Sequence, residues 1–178
     1  LLGAIAVFRE PMPLEAISAI DMETDLLDGL VEKGLARQAD SENYDVHDLV
    51  REFLTRSMED SLKQSLHANA VEWYRTRKDD PSESIEHIHH LHESGDIEGL
   101  ASALSEEGHK LVKAGHIELL GILRVLEARL FGPRTRFVIH ELTGDILSVQ
   151  GKWDEAEEQY DMALPIAVKH KLTTPLAR

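Results

Sequence analysis

The chain of 178 residues contains no cysteine, few aromatic residues and no long apolar run. Without cysteine it can form no disulfide, thiolate metal site or thiol nucleophile, and this absence fits a reducing, cytoplasmic setting. Aromatic residues make up 5% of the chain, which is typical of a leucine-rich helical protein. The apolar segment 1–8 is too short to span a bilayer, so the sequence predicts no membrane partner.

Basic residues are also scarce: the chain has 33 acidic and 19 basic residues, which gives a net charge of −14. The excess of acidic residues is concentrated in residues 1–60, which contain 14 acidic and 5 basic residues and so have a local charge of −9. A surface of this charge repels phosphate backbones and anionic lipid. The sequence therefore predicts that neither DNA nor a membrane is a partner.

Apolar residues recur at helical spacing through most of the chain. In residues 1–60 the pattern predicts three short helices, the last over 22–34, and then a β-hairpin over 35–39 and 43–47. This order is that of a winged helix. In residues 61–178 the pattern predicts helices joined by short turns, which indicates a repeat solenoid. We expect a mainly α protein in which a winged-helix domain continues into an α-α superhelix of tetratricopeptide-like repeats.

Turn residues divide the chain after the hairpin into eight predicted helices. Ser82 is the predicted N-cap of the third of them. The short connections indicate that consecutive helices pack antiparallel. The predicted ranges are 48–58, 62–76, 83–93, 97–105, 107–114, 117–131, 135–149 and 153–169.

The last two predicted helices carry small and large residues at the spacing of a tetratricopeptide repeat. We expect Gly144 and Ala156 to let the two helices touch, and Tyr160 to fill the groove toward the next repeat. The stretch 137–170 therefore resembles one complete repeat, and an ordinary helical hairpin is the alternative. The residues that define the repeat are Gly144, Leu147, Gly151, Trp153, Ala156, Tyr160 and Ala163.

The segment Val46-His47-Asp48-Leu49-Val50-Arg51 resembles the winged helix that follows the nucleotide-binding core of STAND-class signalling ATPases (AP-ATPase or NB-ARC-like proteins). The helices after residue 61 resemble the degenerate repeats that follow this module in such regulators. The resemblance implies that the chain is a piece of a longer protein with its nucleotide site upstream. It also implies that His47 senses a nucleotide phosphate in the resting state. A histidine that caps the junction between hairpin and helix is the alternative.

The chain itself has no phosphate-binding loop, because Gly151-Lys152 is followed by Trp153. We therefore expect no enzyme and no cofactor in this fragment, with ATP or ADP bound elsewhere in the parent. His87 and His90 stand three residues apart and are weak candidates for an adventitious metal ion. The alternative is a repeat helix with inter-helix and surface histidines around the borders of its apolar face, so we predict no metal site.

These features predict a protein–protein interaction module, the sensor or regulatory fragment of an ATP-dependent switch. We expect a protein or peptide ligand on the concave repeat face, in a groove that includes Arg136, His140 and Thr143. The parent's own nucleotide-binding domain is a second predicted partner, and a homodimer through the exposed C-terminal repeat is a further hypothesis. A transcriptional regulator with a DNA-binding winged helix and a repeat effector domain is the alternative, and an enzyme is a third class.

Overall fold

The structure is a computed structural model and describes residues 1–20, 24–77, 80–127 and 131–172. The chain divides into two compact units, Leu1–Ile97 (unit 1) and the residues from Glu98 onward (unit 2). Most of the described residues are helical, and the only sheet among them has three short strands. The predicted domain boundary at residue 60 lies inside unit 1, because the two helices that follow it pack there.

Unit 1 begins with a winged helix. Its helices are α1 (Leu2–Ala6), α2 (Leu14–Ile20) and α3 (Leu27–Glu32), the last preceded by a 3₁₀ turn, Thr24–Leu26. Its strands are β1 (Met12–Pro13), β2 (Arg37–Gln38) and β3 (Asn43–Asp45), in the order β1-β3-β2 and all antiparallel. The mainly α class with a winged helix is thus confirmed. Residues 21–23 of the predicted third helix lie outside the described residues.

Strand β1 was not predicted. It has two residues, and Pro13 can stand in it because β1 lies at the edge of the sheet, where the missing N–H leaves no ladder bond unmade. Met12 is paired with Tyr44, so the strand depends on a partner 32 residues away. Local periodicity cannot detect such a strand.

Asp45, at the end of β3, ties the hairpin to its surroundings. Its buried carboxylate accepts from Arg37 on β2 at 2.6 Å and from the guanidinium of Arg51, and it also accepts from the backbone N–H of Val46. Arg51 donates in addition to the carbonyl of Ala6 at the end of α1. Asp45 therefore binds two of the five bases in the first 60 residues.

Three longer helices complete unit 1: α4 (Asp48–Ser57), α5 (Asp60–Tyr74) and α6 (Pro81–Ser94). Helix α5 packs against α6 and α2. The prediction of Ser82 as the cap of α6 is wrong. The side chain of Asp80 is the cap and accepts from the Ser82 N–H at 2.8 Å, because Pro81 occupies the first helical position and has no N–H to satisfy.

Unit 2 contains α7 (Ile97–Ala114), α8 (Leu119–Glu127), α9 (Pro133–Val149) and α10 (Trp153–His170). The prediction of two helices over 97–114 is wrong, since α7 runs through without interruption. Gly108 lies inside α7, and the side chain of Leu142 on α9 occupies the space that a Cβ would need. Gly108 thus allows a close contact between α7 and α9 and does not form a turn.

Candidate interaction surfaces

Helices α9 and α10 form the hairpin predicted as a tetratricopeptide repeat. A Cβ on Gly144 would stand 2.6 Å from Cε1 of Tyr160, so the aromatic ring of α10 lies directly on the α9 backbone. The Tyr160 hydroxyl donates to Oδ1 of Asp145 at 2.9 Å. Ala156 is buried, and Gly151 forms the turn with a φ of +75° that favours glycine. The predicted close approach of the two helices is therefore present.

The remaining repeat positions divide into core and surface. Leu147 and Ala163 are buried in unit 2, as the repeat pattern implies. Trp153 is 67% exposed, so this repeat-defining residue does not lie in the core of unit 2. It is the first residue of α10 and follows directly after the turn at Gly151. Its large exposed ring therefore belongs to the surface of α10.

Replacing Gly144 by alanine should destabilise unit 2 by about 1–3 kcal/mol, because the methyl group would displace the Tyr160 ring. The matched control is Gly121→Ala in α8. Among the described residues, no atom lies within 4 Å of the position that its Cβ would take. That change should stabilise by up to about 1 kcal/mol through helix propensity. Urea unfolding followed by circular dichroism measures both, and equal effects would contradict the close contact.

A cleft opens in unit 2 between α8, α9 and α10, with a volume of about 370 Å³. Two of the three predicted groove residues, Arg136 and His140, line it. Thr143 does not, and it is buried, so its assignment to a binding groove does not fit this structure. Six apolar side chains line the rest of the cleft: Leu126, Phe131, Ile139, Met162, Pro165 and Ile166.

A short polar network lies beside these apolar side chains. Nδ1 of His140 lies 2.8 Å from Oε1 of Gln159, and the Gln159 amide donates to Glu127 at 3.4 Å. Arg136 is exposed at the rim. Pro165 lies inside α10 at the cleft and has no N–H to donate to the carbonyl of Asp161 one turn earlier. The cleft thus offers an apolar floor with one cation, one carboxylate and hydrogen-bonding groups around it.

His47 stands at the N-cap of α4 with an extended backbone and an exposed side chain. Its carbonyl accepts from the N–H groups of Val50 and Arg51 at 2.8 and 2.9 Å, so the backbone begins the helix while the imidazole stays free of capping bonds. No residue of α4 is buried, and Leu49 and Phe53 are 71% and 68% exposed. The two apolar side chains stand one helical turn apart and form a surface beside His47.

The histidines of α6 are more deeply placed than predicted. His90 is fully buried, and its Nδ1 lies 2.8 Å from Nδ1 of His67 on α5. Its ring packs against Phe8 and Tyr74, with centroids 5.4 Å away in both cases. His87 and His90 are both buried, and the contact of His90 with α5 agrees with the expectation of inter-helix histidines on this helix. Sequence reasoning missed His67 because it lies on a different helix.

Burial lowers the pKa of His67 to about 4 and that of His90 to about 2, so the pair is neutral at pH 7. In a neutral pair one imidazole donates and the other accepts across the 2.8 Å contact. Within the part of the chain that the structure describes, no group of three or more histidine, aspartate or glutamate side chains could hold a metal ion. The pair is therefore a core hydrogen bond.

A second histidine cluster lies in unit 2 and was also missed. His109 on α7 faces two carboxylates of α9, with Nε2 3.1 Å from Glu141 and Nδ1 3.4 Å from Asp145. The carboxylates of Asp145 and Glu141 raise the pKa of His109 to about 9, so it is charged at pH 7. Burial and the bond to Asp145 raise the pKa of Tyr160 to about 12. The cluster joins α7 to α9 by charge and α10 to α9 by the hydrogen bond from Tyr160 to Asp145.

The chain was compared with protein families, curated proteins and solved structures. No protein-family model and no curated protein matches the chain. The chain is similar to a crystal structure of a STAND protein (signal transduction ATPase with numerous domains) with a tetratricopeptide repeat sensor from Pyrococcus horikoshii. The TM-score is 0.49 and the sequence identity 18%, over 96% of this chain and 32% of that one. The chain thus spans about a third of the length of that protein. Across the described ranges, no helix has the length and apolarity needed to cross a membrane.

Proposed function

We propose that this chain is a protein-interaction module whose cleft between α8, α9 and α10 binds a segment of a partner protein. The cleft carries the proposal, because it joins an apolar floor to Arg136 and Glu127. Its volume of about 370 Å³ is near the lower end of the range for ligand pockets, about 300–1,000 Å³. It therefore suits one or two apolar anchor side chains of a peptide, with the flanking charges orienting the segment.

A random peptide library displayed on phage tests this proposal directly on the 178-residue chain. Peptides selected on the chain should bind Met162→Glu at least about 10-fold more weakly, because a carboxylate in the apolar cleft costs more than 1.4 kcal/mol. The matched control is Val149→Glu, since Val149 is 66% exposed on α9 and does not line the cleft. Equal binding to both variants in calorimetric titrations would contradict the cleft as the site.

We further propose that the module is the sensor or regulatory part of a larger cytoplasmic ATP-dependent switch and is not itself an enzyme. In the parent, the exposed Leu49–Phe53 surface of α4 would pack on the nucleotide-binding domain, with His47 at its edge facing the phosphates of ADP or ATP. The exposure of these side chains beside the STAND-like histidine segment supports this arrangement. A partner that prefers one arrangement of the repeats would then shift the switch. Self-association through α10 is part of the same proposal.

The full-length gene product tests the switch. Leu49→Glu should speed ADP release at least about 10-fold, because a charge on the apolar contact weakens the closed state. Val149→Glu, on α9 of unit 2, should leave the rate unchanged. A gene product that binds no adenine nucleotide would contradict the switch and leave the cleft proposal standing.

A further inference from the structure

Three hydrogen-bonding side chains on one side of the cleft in unit 2 form a line with a fixed direction. The carboxylate of Glu127, at the end of α8, accepts from the side-chain amide nitrogen of Gln159 at 3.4 Å. The amide oxygen of Gln159 then lies 2.8 Å from Nδ1 of His140, and an amide oxygen can only accept. Nδ1 of His140 is therefore the nitrogen that carries the proton.

The carboxylate of Glu127 favours the same tautomer by a second contact. Its Oε1 lies 3.6 Å from the same Nδ1 of His140, so two acceptors surround that nitrogen. Turning the amide of Gln159 around would place its oxygen against the carboxylate, and two acceptors cannot share a hydrogen bond. In a neutral imidazole with its proton on Nδ1, the other nitrogen, Nε2, is an acceptor.

Nε2 of His140 opens onto the cleft. His140 is only 7% exposed, and it is one of the residues that line the cleft. Within the described ranges Nε2 has no hydrogen-bond partner, yet it is not sealed from solvent. The small accessible part of the ring therefore includes Nε2, and the cleft holds an unused acceptor beside its apolar floor.

We infer that the partner segment is anchored in the cleft by a tryptophan or tyrosine, whose N–H or O–H donates to Nε2 of His140. This inference rests on the proposed function and names the chemistry of its ligand. An aromatic ring covers the apolar floor, and its polar tip gives Nε2 the donor that it lacks. His140 is then the residue that determines specificity, and Gln159 and Glu127 are positioning residues that hold its proton on Nδ1.

Other anchor residues fit the cleft less well. Leucine or phenylalanine would cover Nε2 with carbon and leave a buried acceptor unpaired, which weakens binding. Serine or threonine would supply a donor but leave most of the volume of about 370 Å³ empty. Lysine or arginine would bring a charge against the six apolar side chains, which costs more than the attraction to the 33% exposed Glu127 contributes.

Peptides selected from the phage library on the 178-residue chain test the inference. They should share a tryptophan or tyrosine, and Met162→Glu should weaken their binding. Replacing that tryptophan by 3-benzothienylalanine, in which sulfur takes the place of the indole N–H, or that tyrosine by phenylalanine should weaken binding at least about 10-fold. The matched control is His140→Phe, which has no acceptor, so the same two peptides should differ there by less than about 3-fold.

The outcomes separate this inference from the cleft proposal. Peptides that bind Met162→Glu as well as the unchanged chain would overturn the cleft as the site, and the inference with it. Peptides that need the cleft but are anchored by leucine or phenylalanine would overturn the inference alone. The same holds for peptides that bind the unchanged chain equally well without the donor.

Nitrogen-15 NMR of the histidine side chains tests the tautomer on the unchanged chain, so no variant has to fold. At pH 8 the ring of His140 should show a protonated Nδ1 and an unprotonated Nε2. A proton on Nε2 would overturn the inference, because this nitrogen would then be a donor and would select an acceptor in the ligand.

Discussion

Acidification from pH 7 to pH 4 should destabilise unit 1 by about 3 kcal/mol through His67 alone. His67 has a pKa of about 4 in the folded chain because it is buried, against 6.5 for the unfolded chain. Below pH 6.5 His67 is therefore protonated in the unfolded state, whereas in the folded state it stays neutral down to about pH 4. Stability is full above pH 6.5 and is lost as the pH falls through this window. His90 and His89, with pKa values lowered by burial to about 2 and 4, act in the same direction.

Charged groups around the pair modify this loss without reversing it. Glu93 on α6 favours the protonated form of His67, whereas Lys63 on α5 and Arg9 after α1 oppose protonation in the cluster. Lys63 is itself paired with Glu93 at 2.7 Å, so the attraction of that carboxylate is partly neutralised. Desolvation is the largest cause for each histidine. The buried rings thus determine the sign of the pH dependence.

The measurement uses the two tryptophans of the chain. In a Trp153→Phe background, urea unfolding followed by the fluorescence of Trp73 reports unit 1 only. The double variant His67→Leu with His90→Leu should lose most of the acid sensitivity, because apolar groups replace both partners of the hydrogen bond. His47→Gln, at an exposed histidine of the same unit, should keep it. Undiminished acid sensitivity in the double variant would show that the pair is not its source.

Sequence periodicity predicted the elements whose partners are local. The α9–α10 hairpin follows from residues within one repeat, and the close approach of the two helices at Gly144 was predicted from their spacing. Tyr160 was expected to face the next repeat, whereas its ring lies on Gly144 within the same repeat. Strand β1 was missed, because it exists only through its pairing with β3. The continuity of α7 was also missed, because the predicted break at residue 106 is absent and the helix runs from Ile97 to Ala114.

In the candidate sites, too, the features that depend on local spacing were predicted and those that depend on tertiary packing were missed. The pattern of α6 identified histidines on a helix, but only tertiary packing brings His67 onto His90 and removes both from water. The spacing of α10 placed Trp153 among the repeat residues, yet its position at the start of the helix leaves it exposed. Arg136 and His140 were found because the first helix of a repeat lines a groove. Met162 and Pro165 of α10 also line the cleft, but nothing in the sequence pattern marked them as binding residues.

His109→Leu should destabilise unit 2 by about 3–5 kcal/mol at pH 7, the range for removing one partner of a buried ion pair. The change leaves the carboxylates of Glu141 and Asp145 on one face of α9 without the cation between them. The Glu141 side chain is only 8% exposed, so water cannot replace the lost charge. Combining His109→Leu with Glu141→Leu should recover much of the loss, because the buried carboxylate is then gone as well.

The pH dependence of this cluster has the opposite sign to that of unit 1. The pKa of His109 is about 9 in the folded chain against 6.5 in the unfolded chain, so the stabilisation is full below pH 6.5 and is lost as the pH rises through 9. A shift of this size corresponds to about 3 kcal/mol. Hydrogen exchange of α7, α9 and α10 amides at pH 6.5 and pH 9, corrected for intrinsic rates, measures it. His116→Gln, which removes a histidine paired with the half-exposed Glu118, should retain the alkaline loss, and His109→Leu should abolish it. An unchanged pH dependence in His109→Leu would assign the loss to another group.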